Sequence, residues 1–596
     1  MCASVLLDRF SLLHNQNFFC PMFTTDDLLH QYYPRLNTRP LLGPPVRGFL
    51  RRILHEQRFS EFTSQYPDLV GMDFVEQVLE SFQFSYAVTE RERENIPVSG
   101  RLVIVANHPI GTLDGLALLK LVHDVRPDVR IVANDVLASV QALQPCLLPV
   151  RMLGGISVKE QIGRIEEALR REEAVIFFPA GVVSRLGARG IRDGKWQKGF
   201  LRLAAKTRAP ILPVHIRARN SLSFYLTSIL ARPLSTLMLV GEMFHTRKKP
   251  VQMTIGGLIP FTSYDGLGIR EKDKLALFRR HLYRIGARKG PVFRTETAIA
   301  RPERRVLLHK AIRQGELLGR TPDGMEIYLF TDGSNEVLFR EIARLRELTF
   351  RLVGEGSGRR RDRDQFDAYY QHLVLWSPED LEIVGAYRFA DSGRVMAEKG
   401  LEGLYSHSLF ALHTDTCPFL AQGLELGRSF VQQRYWGKRS LDYLWFGIGA
   451  FLKRNPQYRY LFGPVSISNA MPRTAKELLI LFYRLYFSRP ETTACSRNPF
   501  SLSLSAQELA TSFSGQDYRA DFTTLKSLLA AMGVSVPTLY KQYTELCESG
   551  GVYFLDFNVD PAFAGCIDGL VVVDIGLLKP HKRKRYIEHN EVALSV

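Results

Sequence analysis

The run Asn107-His108-Pro109-Ile110-Gly111-Thr112-Leu113-Asp114-Gly115 carries an imidazole and a carboxylate with five residues between them. An imidazole oriented by a carboxylate can take the proton of an alcohol as it attacks a thioester, and such base catalysis is worth about 10²–10⁴-fold. The carboxylate would hold the ring's tautomer and stabilise the imidazolium that forms. The other reading of the same residues is an Asp that caps a helix beside an unrelated His.

These residues need a scaffold, and the surrounding pattern predicts one. The apolar run Leu102–Ala106 reads as a buried strand, followed by a helix from about Asp114 to Val122. Strands are expected at 130–134, 174–178 and 211–216, with helices at 162–171 and 200–207 between them. This alternation predicts an α/β domain with a largely parallel sheet, and ligands bind such sheets at the carboxyl ends of their strands. His108 follows one of those ends.

A stretch rich in Gly, Pro and charge, residues 290–325, suggests a boundary, and a second α/β pattern starts at Ile327. It predicts a helix over 336–351, strands at 381–388, 403–412 and 423–431, a helix at 441–454 and a strand at 460–467. We therefore expect a helical extension over 1–79, one α/β domain over 80–300 and another over 301–596. The extension sets Arg47, Arg51, Arg52 and Arg58 among apolar positions, which suits either an anionic lipid surface or ordinary packing.

Composition narrows the function. The 596 residues hold 78 Lys+Arg against 61 Asp+Glu, a net charge of +17, which points to an anionic partner. With 45% hydrophobic and 23% charged residues, the chain is not largely disordered. Seven scattered cysteines without a CxxC pair argue against a zinc site and a disulfide scaffold, and for a reducing compartment. No stretch reads as a membrane span: the most apolar, 221–244, is broken by Arg232, Pro233 and Glu242. Asp8, Arg9 and His14 interrupt any signal-peptide core, and Met22, before Thr24-Thr25-Asp26-Asp27, is an alternative start. A soluble or membrane-surface protein is expected.

Beyond the His–Asp pair come Phe178-Pro179-Ala180-Gly181, Ser184-Arg185, Lys198-Gly199 and Pro210-Ile211-Leu212-Pro213-Val214. In this order, across roughly residues 80–260, the chain resembles the glycerolipid (lysophosphatidic acid) acyltransferase family. The resemblance implies that His108 and Asp114 are catalytic and that Arg185 and Lys198 bind the acceptor. Two departures stand out. The family usually separates its His and Asp by four residues, and Ala180 replaces a Glu. The Asn107-His108-Pro109 form and Phe178-Pro179-Ala180-Gly181 look like a divergent, haemolysin-like branch whose acceptor need not be a glycerophosphate.

The second half orders Arg346, Phe350, Asp364, Asp367, Gly385-Ala386-Tyr387-Arg388 and Glu425-Leu426-Gly427-Arg428. This order resembles the acyl-homoserine-lactone synthase branch of the GNAT acyltransferases, which moves an acyl chain from acyl carrier protein to an amine. The resemblance implies that Asp364, Asp367 and Arg388 hold an amino acid and that Glu425, or a water on it, is the base. Arg346, Phe350 and Arg428 join the substrate-binding set. A surface salt-bridge network is the competing account. Glu425 and Arg428 have opposite parity on a strand and should face opposite sides unless a bulge intervenes, which would make Arg428 structural. The following Arg434-Tyr435-Trp436-Gly437-Lys438-Arg439 replaces the Gly-rich loop with basic residues. Arg434, Lys438 and Arg439 would suit the single phosphodiester of acyl carrier protein, although a solvated turn is equally consistent.

The close resemblance extends to Tyr460-Leu461-Phe462-Gly463, Asp556-Phe557-Asn558-Val559-Asp560 and Asp568-Gly569. The whole chain looks like the bifunctional ornithine lipid synthase type. That implies N-acylation of ornithine, lysine or glutamine with a 3-hydroxyacyl chain, then O-acylation of the new hydroxyl, by a bacterial enzyme on the cytoplasmic face of the inner membrane. The expected donor is acyl carrier protein; no tightly bound cofactor, metal or nucleic acid is expected. The rivals are a lysophospholipid O-acyltransferase whose second domain docks acyl carrier protein, and a non-catalytic membrane scaffold. The basic tail, Lys579 to Arg585, is too short for a nucleic-acid site.

Overall fold

A computed structural model describes residue 48 and residues 56–588, apart from 134–136, 138–139, 150–157, 188–189, 231–238, 240, 244–249, 332, 414–417, 490–493 and 504–505. Arg47, Arg51, Arg52, the 24–55 part of the expected helical extension other than residue 48, and the alternative start lie outside these residues. The chain divides into two compact α/β units between Ala298 and Ile299.

In the first unit, strands β1 (Tyr86–Ala87), β2 (Leu102–Ala106), β3 (Val129–Ala133), β4 (Leu147–Pro149) and β5 (Ala174–Phe177) precede a small hairpin, β6 (Arg185–Gly187) and β7 (Gly190–Arg192). Strands β8 (Ile211–Arg217) and β9 (Val251–Ile255) complete a seven-stranded sheet of order β1-β9-β8-β2-β5-β3-β4. All its pairings are parallel except β8 with β9. Every residue of β2 is buried, as its unbroken apolar run requires of a central parallel strand. The helix Thr112–His123 packs on one face with nine buried residues, and helices Val158–Arg170 and Gly199–Thr207 lie over the other core cluster.

The second unit is built on an eight-stranded sheet. Its strands are β10 (Glu316–Arg320), β11 (Glu326–Phe330), β12 (Gln371–Ser377), β13 (Glu382–Asp391), β15 (Gly423–Val431), β16 (Tyr460–Ile467), β19 (Cys566–Asp574) and β18 (Val552–Asp560), in that spatial order. A separate pair joins β14 (Phe410–Leu412) to β17 (Ala494–Ser496). The large sheet is antiparallel except where β15 meets β16, and that parallel pairing covers only 423–425 against 460–462. Beyond Phe462, β16 continues against β19 alone, so the sheet opens between β15 and β16.

One expected strand is absent. Residues 403–412 form a turn, the short helix Tyr405–Leu409 and only then β14. The β-like pattern is overridden because Glu425 accepts the N–H groups of Tyr405 and Ser406, which holds a helix start there. The basic tail forms the turns Pro580–Arg583 and Lys584–Glu588, and Arg585 and Tyr586 both bind Asp442. No helix among the described residues is long and apolar enough to cross a membrane.

Candidate active sites

At the carboxyl end of β2, the chain turns into the helix Thr112–His123 and brings His108 Nδ1 to 2.7 Å from Asp114 Oδ1. Asp114 is fully buried, and its other oxygen accepts the N–H groups of Ile110 (2.8 Å) and Gly111 (3.3 Å). The five-residue gap is absorbed at Gly111, whose φ of +123° and ψ of −132° suit glycine. Asp114 is thus both a helix-start residue and the partner of His108. Burial opposes the imidazolium, but the charge and hydrogen bond of Asp114, with Asp193 beyond, outweigh it and hold the His108 pKa above its ordinary value. The imidazole keeps 20% of its side-chain surface open and packs 4.2 Å from the Phe178 ring.

Two residues absent from the sequence-based set build this loop. Asn107 accepts the Ile216 N–H (2.7 Å) and donates to the Ile216 carbonyl (2.8 Å), pinning the end of β2 to β8. Asp193 accepts from the His108 N–H (3.3 Å), the Ser184 hydroxyl (2.6 Å) and the Trp196 indole (3.0 Å). The Ser184 N–H in turn binds the His108 carbonyl at 2.7 Å. An isolated Asp between a hairpin and Trp196 carries no pattern that sequence alone could flag. Arg185 lies at the start of β6 and bonds Ser228 on the helix Leu222–Leu230. Lys198 is half-exposed and lies 3.9 Å from Glu271; among the described residues it shares no contact with His108 or Asp114.

In the second unit the expected residues converge, several of them on one another. Arg346 donates to Asp367 Oδ1 at 2.7 Å, and Arg388 binds the same oxygen at 2.9 Å and Asp364 Oδ1 at 2.5 Å. Arg428 Nε lies 3.0 Å from Asp362 and its Nη2 lies 3.7 Å from Asp364. The second oxygen of Asp367 accepts the Asp364 N–H at 3.0 Å. Three arginines and three aspartates therefore balance one another in a largely buried lattice. Both oxygens of Asp367 are engaged within the lattice, whereas Arg388 uses only Nη1 there and keeps Nε and Nη2 without a hydrogen-bond partner among the described residues. Phe350 packs edge-on against Phe563, 5.0 Å away, as a core residue.

Glu425, expected as the base or as the holder of a basic water, is deeply placed. It is 1% exposed, and its oxygens accept from the Tyr370 hydroxyl and the Tyr405 and Ser406 N–H groups. Burial holds its pKa up against those donors. It anchors a loop and has no open face toward an amine. Replacing it with Gln should therefore lower amine acylation by no more than about tenfold, measured as amine-dependent thiol release, where loss of a general base would cost about 10²–10⁴-fold.

The parity conflict between Glu425 and Arg428 is resolved by a register shift between β13 and β15, with Arg428 at φ +50°. The shift brings both side chains to Tyr405: Glu425 to its N–H and Arg428 to its hydroxyl, at 3.0 Å. The basic loop is largely neutralised. Arg434 pairs with Asp380 (2.7 Å) and Glu382 (3.0 Å), Arg439 lies 3.8 Å from Asp442, and Lys438 sits over the Tyr435 ring.

Comparison with known proteins agrees with this two-site arrangement. An acyltransferase family model matches residues 30–286, and an acetyltransferase (GNAT) domain model matches 345–446. The chain is 28% identical over 303 residues to a glycine Nα-acyltransferase of Bacteroides thetaiotaomicron, covering 49% of this chain and 89% of the relative. It is 31% identical over 227 residues to a lyso-glycine lipid O-acyltransferase of the same organism, covering 37% of this chain and 82% of the relative. An L-ornithine Nα-acyltransferase of Brucella abortus is 34% identical over 170 residues, with 25% of this chain and 59% of the relative covered. An acyltransferase domain and a GNAT domain in one polypeptide, each with relatives of its own kind, show that the chain belongs to the acyltransferases.

Proposed function

We propose that the chain makes an acyloxyacyl aminolipid by two successive acyl transfers. The second unit acylates the α-amine of an amino acid, ornithine or a related one, with a 3-hydroxyacyl chain from acyl carrier protein. The first unit then esterifies the new hydroxyl. The observation that carries this reading is the presence, in one chain, of likenesses to both an Nα-acyltransferase and a lyso-lipid O-acyltransferase.

In the first step the amine must be neutral to attack the thioester carbonyl. The gap where β15 and β16 part gives a place for the thioester, bordered by Arg428 and Tyr405. The buried lattice fixes Arg428, while Glu425 fixes Tyr405, so both act at the site's edge through rigid supports. With Glu425 closed off, the proton of the amine leaves to solvent.

In the second step His108 removes the proton from the 3-hydroxyl as its oxygen attacks a second acyl thioester. Asp114 keeps Nδ1 engaged, which leaves Nε2 as the accepting nitrogen. The tetrahedral intermediate then collapses with loss of the thiol, which takes back the proton. Arg185, at the edge of this unit's hairpin, is proposed to contact the acceptor.

The +17 charge supports anionic partners, acyl carrier protein and the cytoplasmic face of the bacterial inner membrane, where the protein would sit peripherally. The direct test is lipid mass spectrometry on a host that makes no aminolipid and expresses this chain. An acyloxyacyl amino acid supports both steps and identifies the headgroup. A monoacylated amino acid alone would remove the proposed role of the first unit, and the absence of any new lipid would remove both.

A further inference from the structure

On the sheet of the second unit, beyond the Arg–Asp lattice, three carboxylates gather without an arginine of their own. Ser466 on β16 stands directly opposite Asp568 on β19, so their side chains share a face about 5 Å apart. Cys566, two residues before Asp568, shares that face, and Asp560 on β18 is its cross-strand partner. The loop after the helix Glu336–Leu352 brings Glu355 over the group, and its Oε2 accepts from the Ser466 hydroxyl at 3.0 Å.

Their partners do not satisfy these groups. Asp568 is 5% exposed, yet among the described residues its two oxygens find only the Cys566 thiol as a hydrogen-bond partner, at 3.9 Å. Asp560 accepts the Ala562 N–H at 2.8 Å and reaches the Tyr405 hydroxyl at 3.5 Å. The nearest cation, Arg428, is already committed to Asp362 and Tyr405. Burial and repulsion from Asp560 and Glu355 push the Asp568 carboxyl up to about 8, and burial lifts Glu355 to about 7 against Ser466 and Arg428. A buried carboxylate with so weak a partner is one that a cation entering the site would stabilise. Glu355, Ser466 and Tyr405 are only half-buried, and Ser466 lies on β16 past the residues that pair with β15.

We propose that Glu355, Asp560 and Asp568 form the subsite for the side-chain ammonium of a dibasic amino acid such as ornithine or lysine, and so set acceptor specificity. This rests on the N-acyltransfer reading above. The choice between the acceptor's two nitrogens follows from the chemistry. Carboxylates raise the pKa of an amine they surround. The α-amine must lose its proton to attack, so an anionic pocket would hold it in its unreactive form. The side-chain nitrogen takes no part in the reaction and should stay charged, which three carboxylates favour. They also keep it from competing as a nucleophile.

The test uses the purified full chain with a 3-hydroxyacyl thioester of acyl carrier protein, measuring thiol release with L-ornithine and with glycine. The wild type should favour ornithine in kcat/KM by about 100-fold, the scale on which a polar site rejects an analogue that leaves it unpaired. Asp568→Asn and, at the half-buried position, Glu355→Gln should each collapse that ratio toward one, mainly through KM for ornithine. Equal losses for both amino acids, leaving the ratio intact, would overturn the proposal. So would a wild type that uses glycine as well as ornithine, although N-acyltransfer itself would then stand. No amine-dependent release with any amino acid would overturn the reading beneath it and the proposal together.

Discussion

Replacing His108 with Ala should lower O-acylation by about 10³-fold, within the range for loss of a positioned general base. The lyso-lipid should accumulate while amine acylation by the second unit continues unchanged. Lipid extracts of expressing cells report both products at once, and diacylated lipid formed at the wild-type rate would sink the assignment. The pH profile supplies a second test. A base works only when deprotonated, so kcat/KM should fall as pH drops through the His108 pKa. That midpoint should lie above the ordinary value of about 6.5, because Asp114 favours the charged ring. Asp114→Asn should move it down while also slowing turnover, since the amide cannot stabilise the imidazolium.

The second large effect is on stability. Asp367→Ala leaves Arg346 and Arg388, each 1% exposed, without their shared oxygen. Breaking a buried ion pair from one side costs about 3–5 kcal/mol. At 2–4 °C per kcal/mol, the melting temperature of this unit should fall by roughly 10 °C. A surface control, Glu336→Ala, removes the partner of the exposed Arg363 and should cost under about 1 kcal/mol. Burial opposes the Asp367 carboxylate, but Arg346 and Arg388 more than offset it and hold its pKa far below the usual range. A depressed folded pKa gives stability that is fully present above the unfolded value of about 3.9 and is lost as pH falls below it. Acid unfolding of the wild type should therefore begin below about pH 4, and Asp367→Ala should flatten that dependence. A variant with an unchanged melting curve would show that the lattice is not structural.

What was legible in the sequence was the local pattern. The strands Leu102–Ala106, Gly423–Val431 and Tyr460–Ile467 were readable because unbroken or alternating apolar runs are set by the sheet they enter. The His–Asp pair was readable because it lies within one strand–helix turn. Ordered motifs also brought together Arg346, Asp364, Asp367, Arg388, Glu425 and Arg428, but their order said nothing of who binds whom. That is decided by burial and by pairing across long separations. Arg346 and Asp367 are joined across 21 positions, and Glu425 caps a helix that local propensity would have made a strand. Asp193 and Glu355 were missed because each stands alone in its segment. Their significance comes from Ser184 and Trp196 in one case and from Asp568, more than two hundred residues away in sequence, in the other.

Gly111 has a consequence for finding related proteins. A Cβ there would meet nothing closer than Val183, at 3.6 Å, so the demand for glycine comes from the backbone angle alone. The bend lets one additional residue enter the loop without separating imidazole from carboxylate. A search pattern with a fixed four-residue gap would pass over this chain even though its two groups touch. The transferable signature is a separation in ångströms, with the glycine between them marking where the motif can lengthen.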